Sequence, residues 1–214
     1  MNIRAVIFDF GGVLCFHPER ETIARAAEHC GVEYGAFLKA MWKDRTAYDG
    51  GQDARDYWRG VARNAGASFD DDLIARMIGR EIEFWSRYDD RVFAWIDHLR
   101  ASGIRTGILS NLPRPLGERL RETDGFLNHF DHVTFSYELS LVKPQREIYD
   151  DAVRGLGVRP GEALFLDDRI ENIQGAREAG LEAELFVSWE DFVGQIPGRY
   201  GLPAAKRLAV NERE

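Results

Sequence analysis

An apolar run near the start of the chain, Ala5-Val6-Ile7-Phe8-Asp9-Phe10-Gly11-Gly12-Val13-Leu14, constrains the fold more than any other stretch. The run is short, rich in β-branched residues and without polar alternation, which predicts a strand buried on both faces of a parallel sheet. Ligands of such sheets bind beyond the carboxyl ends of the strands, so Asp9 is expected at a site. Gly11 and Gly12 would allow a sharp turn and a close approach to an anion. Taken alone, a strand ending in an ordinary turn composition accounts for the run equally well, so the remaining chain has to decide.

The spacing of apolar residues divides the rest of the chain into two parts. Helical spacing without any strand predicts helices over 19–30, 34–42, 54–64 and 71–88. Farther along, predicted strands at 104–109, 133–137, 163–166 and 183–187 alternate with helices at 92–101, 113–123, 145–156, 170–179 and 189–196. This pattern predicts an α/β fold: a Rossmann-like parallel sheet core (1–15 and 89–196) with an inserted helical domain (16–88). Residues 197–214, rich in Gly and Pro and then charged, are expected to form a loosely packed or disordered tail.

Composition excludes several classes of function. The 214 residues carry a formal net charge of −8 and no long basic run, which argues against nucleic-acid binding. No apolar segment is as long as a membrane span, and the N-terminus has no signal-peptide pattern, so we expect a cytoplasmic protein. Cys15 and Cys30 lack a second cysteine at metal-ligand spacing and are expected to be small packing residues in a reducing compartment.

Polar residues of complementary kinds follow three of the predicted strands: Asp9, Ser110-Asn111 and Asp167-Asp168. Lys143 precedes a proline at the start of a predicted helix. If the strands are parallel neighbours, these groups meet at one edge of the sheet, where each suits phosphoryl transfer. Asp9 can act as a nucleophile, and Asp168 with Asp167 offers hard oxygen ligands for Mg²⁺. Ser110 can bond phosphoryl oxygens, while Lys143 supplies positive charge.

Four motifs in this order resemble the haloacid dehalogenase (HAD) superfamily of aspartate-nucleophile phosphatases and dehalogenases. They are Asp9-Phe10-Gly11-Gly12-Val13-Leu14, Leu109-Ser110-Asn111, Val142-Lys143-Pro144 and Phe165-Leu166-Asp167-Asp168-Arg169-Ile170-Glu171-Asn172-Ile173. The resemblance implies that 16–88 form a four-helix cap that closes over the core, with hinges near 14–17 and 86–90.

The resemblance also assigns roles to individual residues. Asp9 and Lys143 would be catalytic, and Ser110, Asn111 and Lys143 would bind the substrate. Mg²⁺ would be held by Asp9, the Gly11 backbone carbonyl and Asp168, with Asp167 and Asn172 behind them. The implied partner is a small phosphorylated molecule, without nucleic acid or membrane, and the chain would act as a monomer or homodimer.

Gly11 departs from the family pattern, which usually has a second aspartate two residues after the nucleophile. That aspartate protonates the leaving group, a contribution of about 10²–10⁴-fold for general acid–base catalysis. A phosphatase whose leaving group needs little protonation, such as a sugar 1-phosphate, would tolerate the loss. The first and fourth motifs are similar to a phosphatase subgroup that includes a bacterial α-D-glucose-1-phosphate phosphatase. A residue of the cap, His17 at the junction of core and cap, or a water held by Asp168 is an alternative source of the proton.

A dehalogenase and a non-catalytic protein are two further functions compatible with Gly11. A haloacid dehalogenase also lacks the second aspartate, but its family needs no metal and uses a cap arginine for halide, for which Arg20, Arg25 and Arg45 are the candidates. A non-catalytic binding protein on the same fold would need neither Asp9 nor Lys143. In the cap, five aromatic residues are candidates for substrate contact or for plain core packing: Trp42, Tyr48, Trp58, Trp85 and Tyr88.

Overall fold

The computed structural model of the protein describes residues 2–205. Five strands form one sheet: β1 (Ala5–Phe8), β2 (Arg105–Ser110), β3 (His132–Phe135), β4 (Ala163–Asp167) and β5 (Glu182–Leu185). All pairings are parallel, and the strand order is β3-β2-β1-β4-β5. The α/β prediction with a parallel sheet is therefore confirmed, and β1 lies at the centre of the sheet.

The central strand is buried on both faces, as its unbroken apolar sequence predicted. Val6 and Phe8 belong to one hydrophobic cluster, whereas Ala5 and Ile7 belong to a second cluster across the sheet. This division follows from the two-residue period of a strand, which points successive side chains to opposite faces.

Five helices follow β1 within residues 16–88. They are α1 (Arg20–His29), α2 (Tyr34–Lys43), α3 (Arg45–Asp49), α4 (Ala54–Asn64) and α5 (Asp71–Phe84). Aspartates begin the two longest of these helices, since Asp53 accepts from the amides of Arg55 and Asp56, and Asp70 accepts from Leu73. The helices share a hydrophobic cluster of their own, which includes Phe37, Trp58 and Met77.

The remaining helices cover the two faces of the sheet. They are α6 (Asp90–Ala101), α7 (Arg114–Glu122), α8 (Ser136–Leu139), α9 (Arg146–Leu156), α10 (Ile170–Glu178) and α11 (Trp189–Arg199), with 3₁₀ turns at Phe126–His129 and Pro160–Glu162. Helices α6, α7 and α11 contribute to the first cluster, and α9 and α10 to the second. Within the described residues, no helix combines the length and apolarity that crossing a bilayer requires.

The sequence prediction was wrong at three places. The predicted helix 71–88 ends at Phe84, because the chain then turns back to the core and the Phe16 amide donates to the Arg87 carbonyl at 2.9 Å. The short helix α3 was missed, since five residues carry too little periodicity. The predicted strand 133–137 ends at Phe135, where α8 begins.

The start of the predicted tail is also corrected. Helix α11 continues through Pro197 to Arg199, and Tyr200 and Leu202 are each only 7% exposed. The Trp95 indole nitrogen donates to the Pro203 carbonyl at 2.9 Å, which fastens this segment to α6. Its Gly and Pro content suggested loose packing, but the apolar side chains find a hydrophobic surface. Residues 206–214 of the predicted tail lie outside the described residues.

Candidate active site

The sheet register brings the predicted site residues to one edge. Phe8 pairs with Ile108 of β2 and with Leu166 of β4, so the next residue, Asp9, is level with Asp167. Ser110 ends β2, one residue beyond that level. Lys143 reaches the same edge from the loop between α8 and α9. One cleft is lined by Asp9, Gly11, Ser110, Asn111, Lys143, Asp168 and Asn172.

Lys143 is the centre of the polar network at the sheet edge, and its side chain is 1% exposed. Its ammonium group lies 2.8 Å from Asp9 Oδ1, and it donates to Asp167 Oδ2 at 2.6 Å and to the Leu109 carbonyl at 3.1 Å. Burial lowers the pKa of Lys143, but Asp167 and Asp9 outweigh that effect and leave the pKa above its ordinary value. The ammonium group thus makes two hydrogen bonds and one further ion pair within the protein. Lys143 thus lies against both aspartates, and its predicted contact with the substrate stays a prediction.

Asp9 presents one occupied and one open carboxylate oxygen. Oδ1 accepts from the Phe10 amide at 2.7 Å and faces Lys143, whereas Oδ2 has no hydrogen-bond partner among residues 2–205. Burial raises the pKa of Asp9 to about 7, Lys143 opposes the rise, and Asp167 and Asp168 add to it. The ionised carboxylate therefore needs further positive charge beside it.

Asp167 is completely buried and surrounded by donors. Besides Lys143, the Arg169 amide donates to its Oδ1 at 2.8 Å, and Asn172 Nδ2 lies 3.0 Å from both oxygens. Asn172 therefore holds Asp167 rather than capping the start of α10. These bonds satisfy Asp167 within the protein and place it behind the cleft.

Asp168 faces the cleft and bonds the one histidine that lines it. Its Oδ2 lies 2.8 Å from His17 Nε2, and this hydrogen bond raises the pKa of His17. Gly12 passes beside both groups with a φ of +77°, and a Cβ at this position would lie 2.5 Å from Asp168 Oδ2. Only glycine fits here, for both its left-handed backbone and this close approach.

The acidic residues fit a divalent cation. Asp9, Asp167 and Asp168 each offer an oxygen, and these oxygens lie within 4.8 Å of one another. Because Asp167 is already satisfied by protein donors, the available oxygens belong to Asp9 and Asp168. Mg²⁺ binds through one or two carboxylates together with water and substrate phosphate, which matches this donor set.

Ser110 and Asn111 both line the cleft but differ in whether their side chains are already hydrogen-bonded within the protein. Ser110 is 2% exposed at the end of β2. The Asn111 side chain donates to the Lys143 carbonyl at 3.0 Å and accepts from the Lys143 amide at 2.8 Å. The Asn111 side chain therefore holds the Lys143 loop, and its predicted contact with the substrate stays a prediction.

Gly11 faces a tryptophan from the inserted helices. A Cβ at Gly11 would lie 3.0 Å from Cζ3 of Trp85, the residue that follows α5. An aspartate at this position would need Trp85 to move. The indole therefore packs tightly against position 11.

The inserted helices line the opposite side of the cleft with Trp42, Arg45, Asp49 and Trp85. Of the five aromatic candidates, only Trp42 and Trp85 take part. Tyr48 and Trp58 are fully buried, and Tyr88 packs on Phe10 and Phe126. Sequence reasoning missed Asp49; its one signal was a polar residue four positions after Arg45, which places both side chains on one helix face.

Comparisons with known proteins place the chain in a family. The family model for haloacid dehalogenase-like hydrolases matches residues 3–180. A glyceraldehyde 3-phosphate phosphatase from Methanopyrus kandleri is 27% identical over 193 residues, which cover 84% of this chain and 82% of that protein.

Solved structures share the fold. A mutant HAD family enzyme from Bacteroides thetaiotaomicron, in complex with magnesium and inorganic phosphate, has a TM-score of 0.71 at 19% identity, covering 89% of this chain and 99% of that one. The L-2-haloacid dehalogenase from Xanthobacter autotrophicus has a TM-score of 0.66 at 22% identity, covering 88% and 80%. The profile match, which spans both the sheet edge and the inserted helices, shows that this chain is a member of the haloacid dehalogenase-like hydrolase family.

Proposed function

We propose that this protein is a Mg²⁺-dependent phosphatase that hydrolyses a small phosphomonoester through an aspartyl-phosphate intermediate. The observation that carries the proposal is the Asp9 carboxylate: Lys143 lies 2.8 Å from its Oδ1, and one of its oxygens lies within 4.8 Å of oxygens of Asp167 and Asp168. The relative from Methanopyrus kandleri, which carries a phosphatase name, supports the reaction class.

The proposed reaction has two displacements at phosphorus. Asp9 Oδ2 attacks the phosphoryl group, the P–O bond to the leaving group breaks, and an acyl phosphate forms on Asp9. Water then attacks this phosphorus, which frees the Asp9 carboxylate and releases inorganic phosphate. Ser110 is placed to donate to a phosphoryl oxygen. Lys143 favours the ionised form of Asp9 and would orient it.

Asp9 and Asp168 would hold Mg²⁺, and the Gly11 carbonyl is a further candidate ligand. When bound, the cation offsets the negative charges of the two carboxylates and the phosphate. This need is visible in Asp9 itself, since burial beside Asp167 and Asp168 raises the pKa of the carboxyl to about 7. The magnesium in the related Bacteroides thetaiotaomicron structure is consistent with this assignment.

We also propose that 16–88 form a cap that moves on the core. Its two connections run side by side: the Phe16 amide donates to the Arg87 carbonyl at 2.9 Å, and the Asp89 amide donates to the Leu14 carbonyl at 3.0 Å. Such a paired hinge at 14–17 and 86–90 would let the cap open for substrate entry and close during reaction.

The dehalogenase alternative is less well supported by the geometry. Of the three candidate halide arginines, only Arg45 lines the cleft, and it is paired with Asp49 and Glu81. A haloacid carboxylate would also meet Asp9 and Asp168 without a compensating cation. The likeness to the Xanthobacter autotrophicus enzyme concerns the fold alone.

The test is phosphate release from a panel of small phosphomonoesters with Mg²⁺ or with EDTA. We expect release with Mg²⁺, at least 10-fold less with EDTA, and a loss of about 10⁴-fold or more in Asp9→Asn. Asp124→Asn, which changes an exposed aspartate, serves as the matched control and should keep wild-type activity. Activity that survives both EDTA and Asp9→Asn would contradict the proposal.

A further inference from the structure

Asp49 is a buried carboxylate of the cap that the proposed reaction does not use. It is 7% exposed and lies at the end of α3, on the side of the cleft opposite Asp9. Its backbone carbonyl accepts from Ser136 Oγ at 2.5 Å, and Ser136 Oγ in turn accepts from the Leu112 amide at 3.0 Å. Leu112 follows the Ser110-Asn111 segment, so the Asp49 backbone is linked through Ser136 to the phosphate side of the cleft.

One oxygen of Asp49 is ion-paired and the other is open. Arg45 Nε lies 2.8 Å from Asp49 Oδ1 without forming a hydrogen bond to it, whereas Asp49 Oδ2 has no hydrogen-bond partner within residues 2–205. Arg45 is itself fixed by Glu81, which also accepts from the Tyr48 hydroxyl at 3.0 Å. An oxygen without a hydrogen-bond partner on a carboxylate that lines the cleft can accept a hydrogen bond from a ligand.

The cluster of Asp49, Glu81 and Arg45 carries no net positive charge. Two carboxylates, Asp49 and Glu81, surround the single Arg45 guanidinium, which leaves one net negative charge when both are ionised. Burial raises the pKa of Asp49, while Arg45, Lys143 and Arg169 act against that rise. Lys143 and Arg169 belong to the core, so charged groups of the phosphate site act electrostatically on the Asp49 carboxyl.

Each basic side chain that lines the cleft already has a carboxylate partner. All four that line it within the described chain pair with carboxylates: His17 with Asp168, Arg45 with Asp49 and Glu81, Lys143 with Asp9 and Asp167, and Arg169 with Glu171. The charge of a cation held by Asp9 and Asp168 would already be balanced by these carboxylates and the transferred phosphoryl group. A second anionic group on the substrate would therefore face Asp49 without compensation.

We infer that Asp49 is the residue that selects the leaving group: it accepts a hydrogen bond from a hydroxyl of a neutral leaving group and rejects a leaving group that carries a second anion. Arg45 is a positioning residue in this arrangement, since it acts through Asp49. Trp42 and Trp85 flank the same space with apolar ring surface, which suits the carbon skeleton of a small polyol or sugar. The inference rests on the proposed phosphatase function.

The test compares three phosphomonoesters under Mg²⁺: glycerol 3-phosphate, 3-phosphoglycerate and phenyl phosphate. The first two differ mainly in a hydroxymethyl group against a carboxylate, and phenyl phosphate offers no hydroxyl in its leaving group. We expect wild-type kcat/KM to be about 100-fold higher for glycerol 3-phosphate than for 3-phosphoglycerate, because uncompensated like charges repel strongly in a desolvated site.

Two variants separate the acceptor of Asp49 from its charge. Asp49→Asn keeps an acceptor but removes the charge, so kcat/KM for 3-phosphoglycerate should rise about 10-fold while glycerol 3-phosphate changes little. Asp49→Ala removes the acceptor and should lower kcat/KM for glycerol 3-phosphate about 10- to 100-fold, mainly through KM, without changing phenyl phosphate. Asp56→Asn is the matched control, since Asp56 also pairs with an arginine of the cap, Arg59, but at the surface.

Each outcome decides the inference. Equal wild-type rates for glycerol 3-phosphate and 3-phosphoglycerate, or an Asp49→Ala variant that loses all three substrates equally, would overturn it and leave the phosphatase function intact. An unchanged inhibition constant for inorganic phosphate in both variants would show that the core site is still folded. A wild-type protein inactive on all three esters would overturn the phosphatase function and this inference with it.

Discussion

Two buried ion clusters face each other across the cleft, and each holds one basic side chain between two carboxylates. In the core, Lys143 lies between Asp9 and Asp167; in the cap, Arg45 lies between Asp49 and Glu81. The core cluster has a third carboxylate, Asp168, whose oxygen lies within 4.8 Å of the others. This extra negative charge makes the core cluster a candidate cation site, while the cap cluster, as far as the described residues go, has no comparable third acid. We propose that the same ionic arrangement serves metal-assisted chemistry on one side and substrate selection on the other.

The largest difference between the two clusters is expected in the activity of variants that remove the basic residue of either cluster. Lys143→Met should lower kcat by about 10³-fold, because Asp9 loses the charge that keeps it ionised and oriented. Arg45→Met should lower kcat/KM only about 10-fold and act mainly on KM, since Arg45 positions Asp49 rather than the nucleophile. The measurement is steady-state phosphate release with Mg²⁺. Equal losses of kcat in the two variants would remove the functional difference between the clusters.

The same two variants should differ in how Mg²⁺ affects their stability. Each leaves two buried carboxylates unpaired, at a cost of about 3–5 kcal/mol in the free energy of unfolding at pH 7. Mg²⁺ should recover part of this loss in Lys143→Met, because a cation beside Asp9 and Asp168 replaces some of the missing charge. It should recover none in Arg45→Met. Urea unfolding with Mg²⁺ or EDTA measures both values, and an equal recovery in both variants would contradict the contrast.

The core cluster also predicts a pH dependence of the metal-free protein. Because the pKa of Asp9 is raised to about 7 in the fold, the folded state retains a proton that the unfolded chain releases near pH 4. This contribution to stability is complete below pH 4 and is lost as the pH rises to about 7, a change on the order of 2–4 kcal/mol.

The comparison of wild type with Asp9→Asn isolates this contribution from Asp49 and Glu81, whose raised pKa values act in the same direction. Unfolding in EDTA from pH 4 to 8 should show a steeper decline for wild type than for Asp9→Asn. Adding Mg²⁺ should flatten the wild-type curve, because the cation stabilises the ionised carboxylate. Parallel curves in EDTA would show that Asp9 is not perturbed.

The smallest effect concerns the contact between core and cap at Gly11. Gly11→Asp alone should lower kcat about 10-fold, since its Cβ would lie 3.0 Å from Trp85. The double variant Gly11→Asp with Trp85→Ala makes room for the new carboxyl and should exceed Gly11→Asp with poor leaving groups, where general acid catalysis matters most. If Gly11→Asp alone matches wild type, Trp85 does not restrict this position.

Sequence reasoning was most successful where one physical cause acts locally. The apolar run located β1, because a strand that is buried on both faces is apolar throughout. The helical spacing of apolar residues located α4, because this helix buries one face. The short helix α3 left no such pattern. The segment after Arg199 was misjudged, because its burial depends on a surface of α6 that the local sequence does not reveal.

The site shows the same division. Strand ends predicted that Asp9, Ser110 and Asp168 would meet, because parallel strands bring their carboxyl ends to one edge. The hydrogen bonds of Asn111 to the Lys143 backbone, and the closeness of Trp85 to Gly11, arise from contacts between distant segments. Asp49 belongs to this second kind: only the docking of α3 on Ser136 brings it to the cleft.

The most direct test of the central claim is to capture the phosphorylated nucleophile. Excess enzyme is mixed with a phosphomonoester and Mg²⁺, quenched in acid, and treated with borohydride, which reduces an acyl phosphate to an alcohol. Mass spectrometry should then find homoserine at position 9 only when both substrate and Mg²⁺ were present. Turnover with an unmodified Asp9, or modification that persists in EDTA, would contradict the account.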